Sequence, residues 1–245
     1  MKKRYKVIAC KVMMREMYAL AAKCDHIVDI LWLKRALHDT PDLLRKTLQE
    51  AIDHVENESE DYDAILLGYC LCSNGIVGIR SKRMPIVIPR GHDCITMLLG
   101  SKERYKEYFD AHNGRVYWYS PGWVEQALQP SKERFETIYE EYVKKYGEDN
   151  AKYLMEMEQG WLSDYDTAIY VDWPCIACKE YADYTKECAK YLNWQYDLAE
   201  GSDKLVKDMF DGNWDEERFV VIPPGKTIAP THDHRIFEVD DSGEA

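Results

Sequence analysis

Short aliphatic and β-branched runs alternate along the chain with longer stretches in which apolar residues recur every three to four positions. The first pattern predicts strands and the second amphipathic helices. Strands are expected over residues 6–10, 27–33, 63–68 and 85–89. The first helix is expected over 13–23, with Met14, Met17, Tyr18 and Ala21 on one face. The second starts at Thr40-Pro41-Asp42, where threonine can cap, proline suits the first turn and aspartate suits the dipole. Its stripe is Leu43, Leu44, Leu48, Ala51, Ile52 and Val55.

The later part of the chain repeats the alternation. Strands are expected over 115–119, 168–171, 195–198 and 219–222. Helices are expected over 131–158 (broken near Gly147), 177–192 and 204–210. The last twenty residues are polar and expected to be irregular. Strands alternating with helices imply a mainly parallel sheet. Asp61-Tyr62-Asp63-Ala64-Ile65 is echoed at 164–169, and the PIVIP stretch at 85–89 is echoed by VVIPP at 220–224. The echoes suggest an α/β fold of two related Rossmann-like halves. Residues 1–113 would form an N-terminal half, 114–225 a C-terminal half and 226–245 a polar tail.

In such sheets the chemistry collects beyond the carboxyl ends of the strands. Cysteines are concentrated there. Of eight cysteines, Cys10 ends the first strand, Cys70 and Cys72 follow the strand at 63–68, and Cys94 follows the strand at 85–89. Cys175 and Cys178 follow the strand at 168–171. Cys24 and Cys188 fall on or near helices and are expected to pack. The N-terminus has no long apolar stretch after its basic residues, so no secretory signal is expected. A cytoplasmic, reducing setting makes stable disulfides unfavourable and leaves packing, catalysis or metal as roles for the thiols.

Thiolates gathered from separate strand ends suit soft metals. The leading ligand set is Cys10, Cys72 and Cys94, with Cys70, Cys175 and Cys178 as additional candidates. Three cysteines would hold a 4Fe–4S cluster with one iron open to a small substrate. The competing expectation is zinc, because His92-Asp93-Cys94 forms a His-x-Cys element like the ligand pair of zinc thiol methyltransferases. Cys70 and Cys72 are expected to face different ways, with Cys72 toward the site. Cys175 and Cys178 form a C-x-x-C that fits a redox pair or a second metal site. Arg90, His92, Asn74 and Trp123 are candidate substrate contacts. An anion site is also expected at the helix start after Cys94. His232 and His234 read as a solvated tail.

Net charge is −12, which argues against nucleic acid as a main partner. No apolar run approaches the ~18 residues of a membrane span.

Several stretches together resemble one uncharacterised domain family. They are IAC at 8–10, LHDTPDLL at 37–44, YDAILLGYCLCSNG at 62–75, PIVIPRGHDCITMLLGS at 85–101, YWYSPGW at 117–123, YGEDNAKYL at 146–154 and GNWDEERFVVIPPG at 212–225. The family occurs mainly in anaerobic bacteria and methanogenic archaea, often encoded beside corrinoid methyltransferases. The resemblance implies cysteines at Cys10, Cys72 and Cys94, with glycine usual at the position of Cys70 and no counterpart of the Cys175/Cys178 pair. It implies no established reaction. The expected function is a metal-binding protein of anaerobic metabolism linked to corrinoid and methyl-transfer pathways. An iron–sulfur lyase or desulfidase-like enzyme, a zinc-dependent thiol methyltransferase component, and a non-catalytic partner of a corrinoid protein all remain open.

Overall fold

The computed structural model describes residues 1–58, 61–174, 176 and 178–240. Its elements in chain order begin with β1 (Arg4–Cys10), α1 (Met14–Ala21), β2 (Ile27–Leu33), α2 (Pro41–Glu56), β3 (Ala64–Gly68) and β4 (Ile86–Pro89). They continue with α3 (Cys94–Leu99), α4 (Lys102–Ala111), β5 (Val116–Tyr119), α5 (Pro121–Gln126), α6 (Lys132–Tyr146) and α7 (Glu148–Gln159). The remainder are β6 (Thr167–Asp172), α8 (Lys179–Leu192), β7 (Gln195–Glu200), α9 (Lys204–Asp211), β8 (Phe219–Ile222), β9 (Thr227–Pro230) and β10 (Phe237–Asp240).

The chain divides into two compact units. The first comprises Met1–Tyr105, Trp173–Cys175 and Gly201–Ala245; the second comprises Lys106–Asp172 and Ile176–Glu200. This differs from a split into consecutive halves at 113/114. The chain leaves the first unit, builds the second, and returns.

Unit 1 is built on a five-stranded sheet in the order β2-β1-β3-β4-β8, with β1 to β4 parallel and β8 antiparallel on β4. The central strands β3 and β4 carry apolar side chains throughout and are buried along their whole length. That is the pattern of strands covered on both faces. Helix α2 has Pro41 in its first turn and buries Leu44, Leu48, Ala51, Ile52 and Val55; Leu43 lies outside the buried stripe and is exposed. In α1 the buried face is Met17 and Leu20, preceded by Met13. Tyr18 stands outside it and instead accepts a hydrogen bond from Trp32 Nε1 at 2.7 Å.

The expected repeat does not organise the molecule. The second member of one echo, β8, pairs with the first member, β4, in the same sheet. The three strands of unit 2 run β5-β6-β7 in parallel, without the reversal found in unit 1. The tail is not irregular either: β9 and β10 form an antiparallel pair, with Phe237 and Ile228 buried. In unit 2 the core gathers Tyr119, Ala168, Tyr170, Cys188 and Ala189, with Tyr117, Tyr196 and Trp194 packed against it. Tyr119 settles its buried hydroxyl by donating to the Pro130 carbonyl at 2.8 Å. Among the described residues no helix is long and apolar enough to cross a membrane.

Candidate functional site

In unit 1 the chain goes from β1 outward to β2, then returns to place β3 on the other side of β1. The connections leaving β1 and β3 therefore diverge, and a crevice opens beyond their carboxyl ends. In doubly wound sheets this reversal is where ligands bind. Cys10 is the last residue of β1, Tyr69-Cys70-Leu71-Cys72 follows β3, and Cys94 opens the helix after β4.

Register brings these segments level. Ala9 is paired with Gly68, so Cys10 and Tyr69 leave the sheet side by side. A Cβ on Gly68 would lie 2.4 Å from that of Ala9, so only glycine permits this approach. Pairing continues past the strand ends. The Leu71 amide donates to Gly91 O at 3.0 Å and the Cys72 amide to His92 O at 2.8 Å. This ladder carries Cys72 to within two residues of Cys94 on the neighbouring segment. A Cβ on Gly91 would meet Cys70 Sγ at 2.9 Å and Thr96 at 2.7 Å, so Gly91 closes over Cys70.

The four thiols form one electrostatic neighbourhood. Burial pushes the Cys94 thiol well up, and Asp93, Cys72, Cys10 and Cys70 push it further. Burial likewise raises Cys72 to about 12, with Asp93 and Cys10 adding to it. Cys70 and Cys10 are raised chiefly by burial. Cys94 and Asp93 are densely surrounded yet only half-buried at their surfaces. Both keep part of their surface open to solvent.

Cys70 is fully sealed, whereas Cys10 and Cys72 each keep 8% of their surface exposed. Extended alternation does not cause that difference, because residues two apart on a strand share a face. The backbone turns left-handed at Cys72 (φ 46°) and stays so through Ser73 (57°) and Asn74 (63°). Non-glycine residues rarely hold this conformation; it costs roughly 1–2 kcal/mol each. Such strain clusters at functional sites.

Two groups missed in the sequence belong here. Tyr69 is 3% exposed, and its hydroxyl has no hydrogen-bond partner. It lies against the weakly accepting Cys10 thiol, and its acidity is lowered chiefly by burial, then by Cys10, Cys72 and Cys94. The Thr96 hydroxyl is also buried without a partner. Asp93 accepts from the Ile95 amide at 2.9 Å and from Tyr105 Oη at 3.3 Å. Its carboxylate thus fills the helix start where an anion was expected. Only the sequence Gly-Tyr-Cys at a strand end could have flagged Tyr69, and an aromatic there reads first as core.

The other expected site residues lie elsewhere or are engaged. Arg90 donates from Nε to Glu216 O at 2.8 Å and from Nη1 to the carbonyls of Arg235 and Phe237. It ties the returning C-terminal segment to β4. His92 and Asn74 are exposed. Trp123 and Cys178 belong to unit 2, and Trp123 packs in α5 with its amide on the Ser120 hydroxyl. Cys175 lies outside the described residues. Cys24 accepts from the His26 amide and packs at α9, and Cys188 lies in the unit 2 core. His232 and His234 are exposed.

Among the described residues, no three His, Cys, Asp or Glu side chains converge closely enough to enclose a single metal ion. Four thiolates on one zinc at ~2.3 Å would have to crowd together around one point. A multi-iron cluster gives each thiolate its own iron and holds the sulfurs further apart. The neighbouring thiols and the orphaned Tyr69 hydroxyl fit such a group.

No curated protein and no solved structure matches this chain. A family model covers residues 32–210, which include Cys70, Cys72, Cys94 and the Cys175/Cys178 pair and leave Cys10 just ahead of the matched span. The chain therefore belongs to the family described as "Protein of unknown function (DUF1638)".

Proposed function

We propose that unit 1 binds a 4Fe–4S cluster through Cys10, Cys72 and Cys94 and presents it to a small substrate. The observation that carries this reading is the meeting of cysteines from three strand ends at the sheet reversal, brought level by the Ala9–Gly68 register and the hydrogen bonds from the Leu71 and Cys72 amides to Gly91 and His92. Buried thiols without a positive partner stay protonated; a metal is the group that would let them ionise. Bound there, a cluster with one iron free of cysteine offers a small molecule a Lewis-acid or sulfur-accepting position. Cys10, Cys72 and Cys94 hold the group, and Cys70 lies sealed behind it. The exposed side chains of His92 and Asn74 are available to orient a substrate at the rim. Together with the family resemblance, this favours a role in anaerobic methyl-transfer metabolism, with a corrinoid protein or methyltransferase as a partner.

The alternative of zinc on His92 and Cys94 draws on their spacing and on the ladder that sets Cys72 beside His92. It requires a rearrangement that brings three ligands onto one point.

The test is anaerobic purification from a cluster-competent host, with iron and sulfide analysis and a visible spectrum. The expected result is brown protein with about four irons per chain, loss of iron in Cys72→Ser and Cys94→Ser, and retention in Cys70→Ser. Colourless, iron-free wild-type protein overturns the proposal. Stoichiometric zinc without iron transfers the site to the alternative.

A further inference from the structure

Buried hydroxyls nearly always find a partner, so one that does not needs a reason. Leaving it unpaired costs about 1–3 kcal/mol. The Tyr69 hydroxyl is such a case. It is also not placed at random. The Ala9–Gly68 register sets Tyr69 beside Cys10 as both chains leave the sheet. The continued ladder at Leu71 and Cys72 then brings the Cys94 segment alongside. The phenol is sealed from water and close enough to the three thiols assigned above as ligands to feel their charge. The Cys10 thiol, a weak acceptor, is the polar group it lies against.

From this placement we infer that Tyr69 is a positioning residue of the metal site, whose hydroxyl donates a hydrogen bond to a sulfur of the bound cluster, on Cys10 or on the cluster itself. The inference rests on the iron–sulfur reading of the site. A thiolate or sulfide is a far better acceptor than a neutral thiol, so the hydroxyl gains a strong partner when the site is loaded. Hydrogen bonds to sulfur stabilise the more negative, reduced form, and they are one of the levers that set cluster potential. Tyr69 would thus hold the potential higher than the buried, acidic setting alone would. The fourth thiol, Cys70, cannot take this role, because it is sealed under Gly91.

Tyr69→Phe removes one oxygen and keeps the ring. Wild-type and variant proteins are loaded anaerobically, assayed for iron, and titrated electrochemically. The variant is expected to take up the same iron as wild type and to show a more negative reduction potential. In the unloaded state it is expected to melt at the same temperature or higher, since an unpaired buried oxygen has been removed. An unchanged potential at equal iron content overturns the inference. So does an unloaded variant that melts lower, because the hydroxyl would then serve the fold itself. Failure of the inference alone leaves wild-type protein loaded with iron; wild-type protein that takes up no iron overturns the underlying site as well.

Discussion

A thiol reacts as its anion, so the thiols of unit 1 should differ in a fixed order. Cys94 is partly exposed, Cys10 and Cys72 show a sliver of surface, and Cys70 shows none. All four are pushed toward the protonated form by burial. Iodoacetamide added to unloaded protein near neutral pH should therefore modify Cys94 slowly and ahead of Cys72, and should leave Cys70 untouched until the chain unfolds. Raising the pH should speed the first two. Loading the site should protect Cys94 while leaving Cys24, outside the cluster, as reactive as before. Peptide mapping reads this order, and early labelling of Cys70 would contradict the burial. Sequence alone could nominate these thiols because strand ends in a parallel sheet are predictable places. It could not rank them, since the ranking comes from Gly91 closing over Cys70 and from a left-handed turn at Cys72. Nor could it find the partners of Arg90: these carbonyls lie more than a hundred residues away.

At the scale of elements, the site depends on how closely β1 and β3 approach. Gly68 faces Ala9 across the pair, and Met17 of α1 packs on the same spot, 2.7 Å from where a Cβ would stand. Gly68→Ala should force either the strands or α1 apart and destabilise the unloaded protein by about 1–3 kcal/mol, the usual cost of overpacking. Because Cys10 and Tyr69 follow immediately, the same change should weaken iron uptake more than a core substitution of equal cost remote from the reversal, such as Leu48→Ala in α2. Denaturant melts and iron content measured on both variants make the comparison; equal uptake at equal stability would show that the register does not control the site. Most elements were legible because their periodicity is strong, as in α2 and β3. Those that were not legible lack that signal. β9 and β10 are four residues each, with mixed polarity, and the antiparallel docking of β8 on β4 joins segments separated by the whole of unit 2. The echo between those two strands reflects two short, mostly buried, proline-flanked segments that lie side by side in one sheet.

For the molecule as a whole, two sets of titrating groups oppose each other. On the acid side, burial alone would raise Glu56, but hydrogen bonds from the Ser81 hydroxyl and the Arg83 and Lys82 amides, with the Lys82 charge, outweigh it and hold its carboxyl below the ordinary range. Each of the three donors is at 2.7 Å. Glu58 is lowered likewise against burial by Lys6 and Tyr62. A lowered carboxyl contributes stability that is present above the unfolded value of about 4.3 and is lost as pH falls through the folded one. On the alkaline side the sign reverses. The folded thiols bind protons more tightly than the unfolded chain, so their contribution is complete below the unfolded value of about 8.5 and declines as pH rises beyond it. For Cys72 that decline extends to about 12. Unloaded protein should accordingly lose stability below about pH 4 and again above about pH 8.5, with a plateau between. Loading reverses the thiol contribution: thiolates bound to metal have already given up their protons, so the alkaline decline should flatten, and below about 8.5, where the unfolded thiols rebind protons, the loaded protein should lose stability as pH falls, on top of the acid limb set by Glu56 and Glu58. Thermal melts across pH on loaded and unloaded protein provide the measurement. An alkaline limb that is identical in both states would mean that the buried thiols of unit 1 are not the groups that the metal deprotonates.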